Sequence, residues 1–323
     1  MSIPSAKYLK KKASNRLQSG KDPKKVVLAY AGIVAASSLV VTVVRNLLNS
    51  QISQTGGIQN IGTRSMLTTA DTVLTIAQLL LVMCLTLGYT GSTLRIARGQ
   101  YASPNSLKAG AERIWLLLRT RLLQGLILAA ASFSLCFLVV NVCLLTPLSS
   151  RLIAVMGTFS AEALMADDIA LLSLYSAMLP IMLIYLVALV PLLWYFSCTY
   201  RMVDYLLIDR PQLGAFGALR ESRRMMQGNK KMMLRVDLSF WWYYVLQAVV
   251  TVLVYLDAVL ALFGLGLPAE VLYWGTIVLY LAADFAVRYF FSNKVAVTYA
   301  LFYDSLCPKQ EQSGAVLGNI FQM

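Results

Sequence analysis

The sequence predicts an all-α polytopic membrane protein: about six transmembrane helices, with amphipathic helices at the membrane interface on the cytoplasmic side. Three observations predict it. Of 323 residues, 58% are hydrophobic and only 13% charged, where soluble domains carry about 25% charged residues. Mean hydropathy is +0.66, which over this length calls for several membrane spans rather than one soluble core. The 28 Lys and Arg fall in blocks between uncharged runs, which is the habit of membrane loops rather than of a nucleic-acid surface. Lipid offers no partner to an open backbone, so the spans must be helices.

A hydrocarbon core needs about 20 helical residues. The sequence reads as spans over 26–44, 72–94, 122–145, 171–198, 238–263 and 271–291. The first lies between Lys25 and Arg45. The basic stretch before it resembles the start of a secretory leader, but the apolar run is too long and no cleavage site follows, so it is read as an uncleaved span. The second lies between Asp71 and Arg95, with Asp71 complementing its N-terminus. The third follows Arg121.

The fourth run carries no charge from Asp168 to Arg201. Residues 169–200 would make a helix of about 48 Å, well over a ~30 Å core. Pro180 and Pro191 fall on nearly one helix face and predict a kink. They serve either as packing adjustments or as a gating hinge. The fifth span opens with Trp241, Trp242, Tyr243 and Tyr244, rings suited to the headgroup level. It contains Asp257 near its outer end. The sixth contains Asp284 and Arg288, and Pro268 and Glu270 suit its first turn.

Charge orients the spans. Residues 1–25 hold 8 Lys or Arg, 95–121 hold 6, 201–235 hold 8 and 288–309 hold 3. Only Arg45, Arg64 and Arg151 fall on the other side. The positive-inside rule then puts both termini in the cytoplasm of a bacterial cell, as a multi-pass protein of the cytoplasmic (inner) membrane. The expected organisation is a basic N-terminal segment (1–25), a six-helix membrane domain (26–300) and a cytoplasmic tail (301–323). Outer loops are expected near 45–70 and 146–168, the latter apolar enough to form a re-entrant or surface helix.

The cytoplasmic connectors share a plan. In "DRPQLGAFGALRESRRMMQGNKK" Asp209 suits an N-cap, Pro211 a first turn and Gly228 the residue after the last turn. The helix between them puts Ala215, Ala218, Leu219, Ser222 and Met226 on one face. Arg220, Arg223 and Arg224, with Lys230, Lys231 and Arg235 beyond, are candidate contacts for anionic lipid headgroups. "SNRLQSGKDPKKVVL" at the N-terminus and "ASPNSLKAGAERIWLLLRTRLL" in the middle repeat this plan loosely: a basic helix, a break, then a span. Ser103 and Pro104 open the middle one.

"ALRESRRMMQGNKKMMLRVDLSF" resembles the signature of the bacterial integral-membrane family called domain of unknown function 975. The matching residues are Ser222, Met226, Gly228, Lys230, Leu238, Ser239 and Phe240. "AKYLKKKASNRLQSG" and "TYALFYDSL" resemble it too. One departure is the usual proline-tyrosine before the final segment, which is "SNKVAVTY" here. The resemblance implies a multi-span protein and carries over no chemistry.

Little in the chain promises catalysis. It contains no histidine, which removes the commonest general base and every His-containing triad or metal site. The five cysteines form no CxxC pair and read as reduced, buried small hydrophobes. "GNKK" lacks the glycine spacing of a phosphate loop, and "GYTGS" at Gly88 is only a weak nest. No cofactor or metal is expected. Acids inside a membrane are functional candidates, so Asp284 and Asp257 stand out. Arg288 and Tyr280 lie one turn either side of Asp284, giving either a structural ion pair or an ion or proton path. Asp167 and Asp168 read as complementing the start of the fourth span, the alternative being a cation held with Glu162. The expected function is a non-enzymatic membrane scaffold or accessory factor associating with anionic lipid, with a protein partner in the membrane and no nucleic acid. The alternative is a small-solute or lipid transporter, or permease subunit, using Asp284.

Overall fold

In the computed structural model every described element is helical. The described residues are 4–19, 23–54, 61–146, 150, 168–256 and 269–307. The helices are α1 (Ala6–Ser19), α2 (Pro23–Gln54), α3 (Ile61–Ala97), α4 (Ala109–Glu112), α5 (Ile114–Leu144), α6 (Asp168–Tyr200), α7 (Val203–Asp209), α8 (Gly214–Met226), α9 (Lys230–Ser239), α10 (Trp241–Val252), α11 (Ala269–Val287) and α12 (Asn293–Leu306). A π-helical turn, Arg288–Ser292, joins α11 to α12. Among the described residues five helical stretches are long and apolar enough to cross a membrane: Pro23–Leu48, Ser65–Ala97, Ile114–Cys143, Met178–Asp209 and Trp274–Leu306. A sixth arises if α9 and the stretch Trp241–Tyr255, bent by 64° against each other, count as one broken span. The chain is an all-α, multi-pass membrane protein.

The helices outrun the apolar runs. Asp71 does not start a helix: α3 begins ten residues earlier, and Asp71 pairs with Arg45 of α2 at 2.7 Å. Thr, Ser and Gln can stay helical outside the hydrocarbon, because hydropathy marks where lipid begins and not where the helix begins. For the same reason most of the expected outer loop 45–70 is helix. At the other end, residues 301–306 are not tail. They complete α12, where Leu301, Phe302 and Tyr303 are buried. Asp209 does not cap α8. Pro211–Leu213 form a 3₁₀ turn, α8 begins at Gly214 with φ +65°, and the Asp209 carboxylate is engaged elsewhere. Leu238 belongs to α9, so the fifth apolar run starts before the bend and not after it. Gly228, with φ +79°, ends α8 as the spacing predicts.

Contacts divide the chain into two compact units, Met1–Leu117 with Asp204–Gln212 and Gly228–Met323, and Leu118–Val203 with Leu213–Gln227. In the first, α2 and α12 pack on α3, α1 on α12, and α11 on α2 and α10. In the second, α8 packs on α6. It buries Ala218, Leu219, Ser222 and Met226. Ser222 Oγ donates to the Thr199 carbonyl at 2.9 Å, satisfying an orphan acceptor at the end of α6. Pro180 and Pro191 lie within α6, which stays one helix through both. The segment 151–167, with Asp167, lies outside the described residues, as does Asp257.

"GYTGS" is a packing device. A Cβ on Gly88 would stand 2.2 Å from the Leu107 carbonyl oxygen, and one on Gly110 1.9 Å from that of Cys84. Ser92 and Ser106 hydroxyls meet beside this contact at 2.6 Å. Small residues thus let the 104–112 segment press against the α3 backbone. Gly88→Ala is expected to cost about 1–3 kcal/mol through forced backbone movement. Gly32→Ala, where an added Cβ meets nothing within 4 Å, is the control. Unfolding in mild detergent under rising SDS should separate them, and equal stability of the two variants would refute the close approach.

None of the five cysteines is in a disulfide. Cys143, Cys198 and Cys307 are buried as expected, but Cys84 is half-buried and Cys136 is exposed on the apolar surface of α5. Burial pushes the Cys307 thiol up to about 11, which leaves almost no thiolate at neutral pH.

Candidate functional site

Three polar clusters stand out among the described residues of the first unit. The deepest surrounds Asp284, on the buried face of α11 and only 5% exposed. Its Oδ2 accepts from Arg288 Nε at 2.6 Å. Its Oδ1 faces Gln247 Nε2 of α10 at 3.4 Å. Arg288 Nη1 reaches Tyr30 Oη at 3.4 Å, and that hydroxyl also meets Thr86 Oγ1 at 3.4 Å. Tyr30 stacks on Tyr89, ring centroids 4.4 Å apart and nearly parallel. Tyr89 Oη meets Ser292 Oγ at 3.4 Å.

Local chemistry builds this arrangement. The i,i+4 spacing brings Asp284 and Arg288 together. The backbone then widens into the π turn, where Ser292 Oγ donates to the Arg288 carbonyl. Such turns are frequent at functional sites. Asn293, 8% exposed, follows directly, and its Oδ1 accepts no hydrogen bond among the described residues. A carboxylate and a guanidinium that neutralise each other, with an amide and a phenol beside them, keep two charges tolerable inside an apolar bundle. Tyr280 is half-buried beside the pair. The spacing found the Asp284–Arg288 pair. It missed Gln247, Tyr30, Thr86 and Tyr89, which come from other helices. A Tyr, a Thr and a Gln inside otherwise apolar runs were the available signal.

The second cluster centres on Arg98, just after α3. Its Nη1 and Nη2 donate to the two oxygens of Asp209 at 2.7 and 3.1 Å, and Nη2 lies 3.0 Å from Asp304 Oδ1. Tyr303 Oη also donates to Asp209, at 3.1 Å. Burial alone would lower the Arg98 pKa, but its hydrogen bond to Asp209 and the two negative charges outweigh that and raise it. Nearby, Arg113 Nη1 donates to the carbonyls of Leu207 and Ile208 at 2.9 and 2.8 Å, closing the end of α7.

The third cluster lies at the bend before α10. The helix breaks at Phe240, whose ring is fully buried. The Ser239 carbonyl accepts from Lys10 Nζ of α1 at 2.7 Å, and the same ammonium lies 4.3 Å from the Phe240 ring centroid. Burial, then the charge of Lys294, lowers the Lys10 pKa. Tyr299 and Tyr244 both donate to Asp237.

The basic candidates differ in exposure. Arg220, Arg223, Arg224, Lys231 and Arg235 are exposed and Lys230 is half-buried. Arg224 Nη2 also pairs with Glu221 at 2.7 Å, an exposed contact worth little. Among the described residues no group of three or more His, Cys, Asp or Glu could hold a metal ion.

The motif positions Ser222, Met226, Gly228, Ser239 and Phe240 therefore each have a structural task. So do Tyr299, Tyr303 and Asp304 of "TYALFYDSL". No curated protein and no solved structure matches the chain. The model of the family described as Protein of unknown function (DUF975) matches residues 9–310, nearly the whole chain, and the protein belongs to that family.

Proposed function

We propose that this is a non-enzymatic scaffold or accessory factor of the bacterial cytoplasmic membrane, with both termini cytoplasmic, which associates with anionic lipid through its basic interfacial helices. The observation that carries the reading is α8. One face is buried, while Arg220, Arg223 and Arg224 stand exposed on the rest. Each basic residue near an anionic surface contributes about 1 kcal/mol. Replacing all three with Gln should lower the ratio of phosphatidylglycerol to phosphatidylethanolamine retained through purification by about tenfold or more, read by native mass spectrometry. An unchanged ratio would overturn the lipid association.

A second reading is transport of a small solute or lipid through the Asp284 cluster. The buried Asp284 carboxylate, one turn before the π turn, favours it. Asp284→Asn separates the two. A scaffold keeps its effect on growth and shows no solute flux in vesicles before or after the change; a transporter loses flux.

A further inference from the structure

The two partners of the Asp284–Arg288 pair are unequally covered. The Arg288 side chain is 26% exposed and that of Asp284 7%, so the open flank of the pair is cationic. Arg288 carries five N–H donors; its Nε donates to Asp284 and its Nη1 reaches Tyr30 Oη. Gln247 of α10 and the Tyr30–Tyr89 stack between α2 and α3 close the inner side. The other described titratable groups that face the pair are phenols: Tyr30 on α2, Tyr89 on α3, Tyr243 on α10 and Tyr280 on α11.

The site is deep. Tyr30 follows Pro23, the start of α2, by seven residues, and Tyr89 precedes Ala97, the end of α3, by eight, which is about 10–12 Å along those helices. At that depth a net charge is costly, whereas a neutral pair is tolerated. Arginine does not lose its proton in proteins, so neutrality depends on Asp284. Protonating Asp284 alone would strand a cation. Adding an anion alone would leave a surplus negative charge. The two together keep the cluster neutral.

We infer that Arg288 binds one small carboxylate, which enters together with a proton that goes to Asp284. In balance, the Asp284 carboxylate, one proton and the incoming carboxylate give an Asp284 carboxylic acid and a carboxylate held on the Arg288 guanidinium. The planar guanidinium fork matches a carboxylate, and the anion it gains carries the same charge as the one it gives up. A phosphate monoester brings about −1.5 to −2, more than one proton offsets. The inference names a substrate class for the transport reading and rests on that reading for flux only.

The test uses the full chain in neutral detergent, with sodium formate as the probe and sodium chloride holding the ionic strength. Calorimetry on the wild type should find one formate per chain. Its affinity should fall about tenfold for each pH unit between about pH 5.5 and 7.5, because one proton is taken up with each anion. Asp284→Asn removes the proton step and leaves the anion to meet Arg288. Formate affinity should then change less than about twofold over the same range. Formate should also raise the unfolding temperature of this variant more than that of the wild type at about pH 7.5. Asp284→Asn with Arg288→Gln carries neither charge, strands no ion and should bind no formate. A flat wild-type pH profile, binding by the double variant, or an Asp284→Asn protein that formate neither binds nor stabilises overturns the inference. If Asp284→Asn does not fold, the wild-type profile and the double variant decide. In vesicles, formate binding without flux leaves the site standing and ends the transport reading. Solute flux that is lost in Asp284→Asn, with no formate bound by the wild type, leaves the transport reading standing and ends the site.

Discussion

Arg288→Met is expected to destabilise the protein by about 3–5 kcal/mol, because it leaves the Asp284 carboxylate buried without its counter-charge. Asp284 is only 5% exposed, and its remaining described partner, Gln247, is 3.4 Å away. The double variant Asp284→Leu with Arg288→Met should recover most of that loss, since an apolar pair avoids desolvating two ions. SDS-titrated unfolding in mild detergent measures both. If the double variant is no more stable than Arg288→Met alone, the pair is not the source of the cost. The same double variant bears on function. A scaffold keeps working once its stability returns, whereas a transporter that uses the carboxylate does not.

Arg98→Gln should cost about 3 kcal/mol. Arg98 faces two carboxylates, Asp209 and Asp304, each less than a fifth exposed. Removing the guanidinium leaves two like charges near each other without the cation that bridges them, while Tyr303 Oη still donates to Asp209. Asp304→Asn should cost much less, about 1 kcal/mol, because the bidentate bond from Arg98 to Asp209 survives and an amide still offers Arg98 an acceptor. Comparable losses in the two variants would show that Asp304 and Asp209 contribute alike, contrary to the geometry. The comparison also tests the motif "TYALFYDSL" as a packing element, since Tyr303 and Asp304 both belong to this cluster.

The Asp284–Arg288 pair was legible in the sequence because it is local: four residues on a helix are one turn. The burial of Ala218, Leu219, Ser222 and Met226 was legible for the same reason. The Arg98–Asp304 bridge spans 206 residues of chain and Lys10 to Ser239 spans 229, and no periodicity reports such a contact. Asp71 and Asp209 were misplaced because an acid beside an apolar run has two uses. It can complement a helix N-terminus or meet an arginine on another helix, and here the arginine took both.

Helicity and membrane embedding follow from composition and run length, because a long apolar segment in lipid has only its own backbone to bond with. The polar clusters depended on which helices pack together. Their members lie far apart in the chain and share no repeat, so a tyrosine in α2 and an arginine after α11 become neighbours only once the bundle has closed around them.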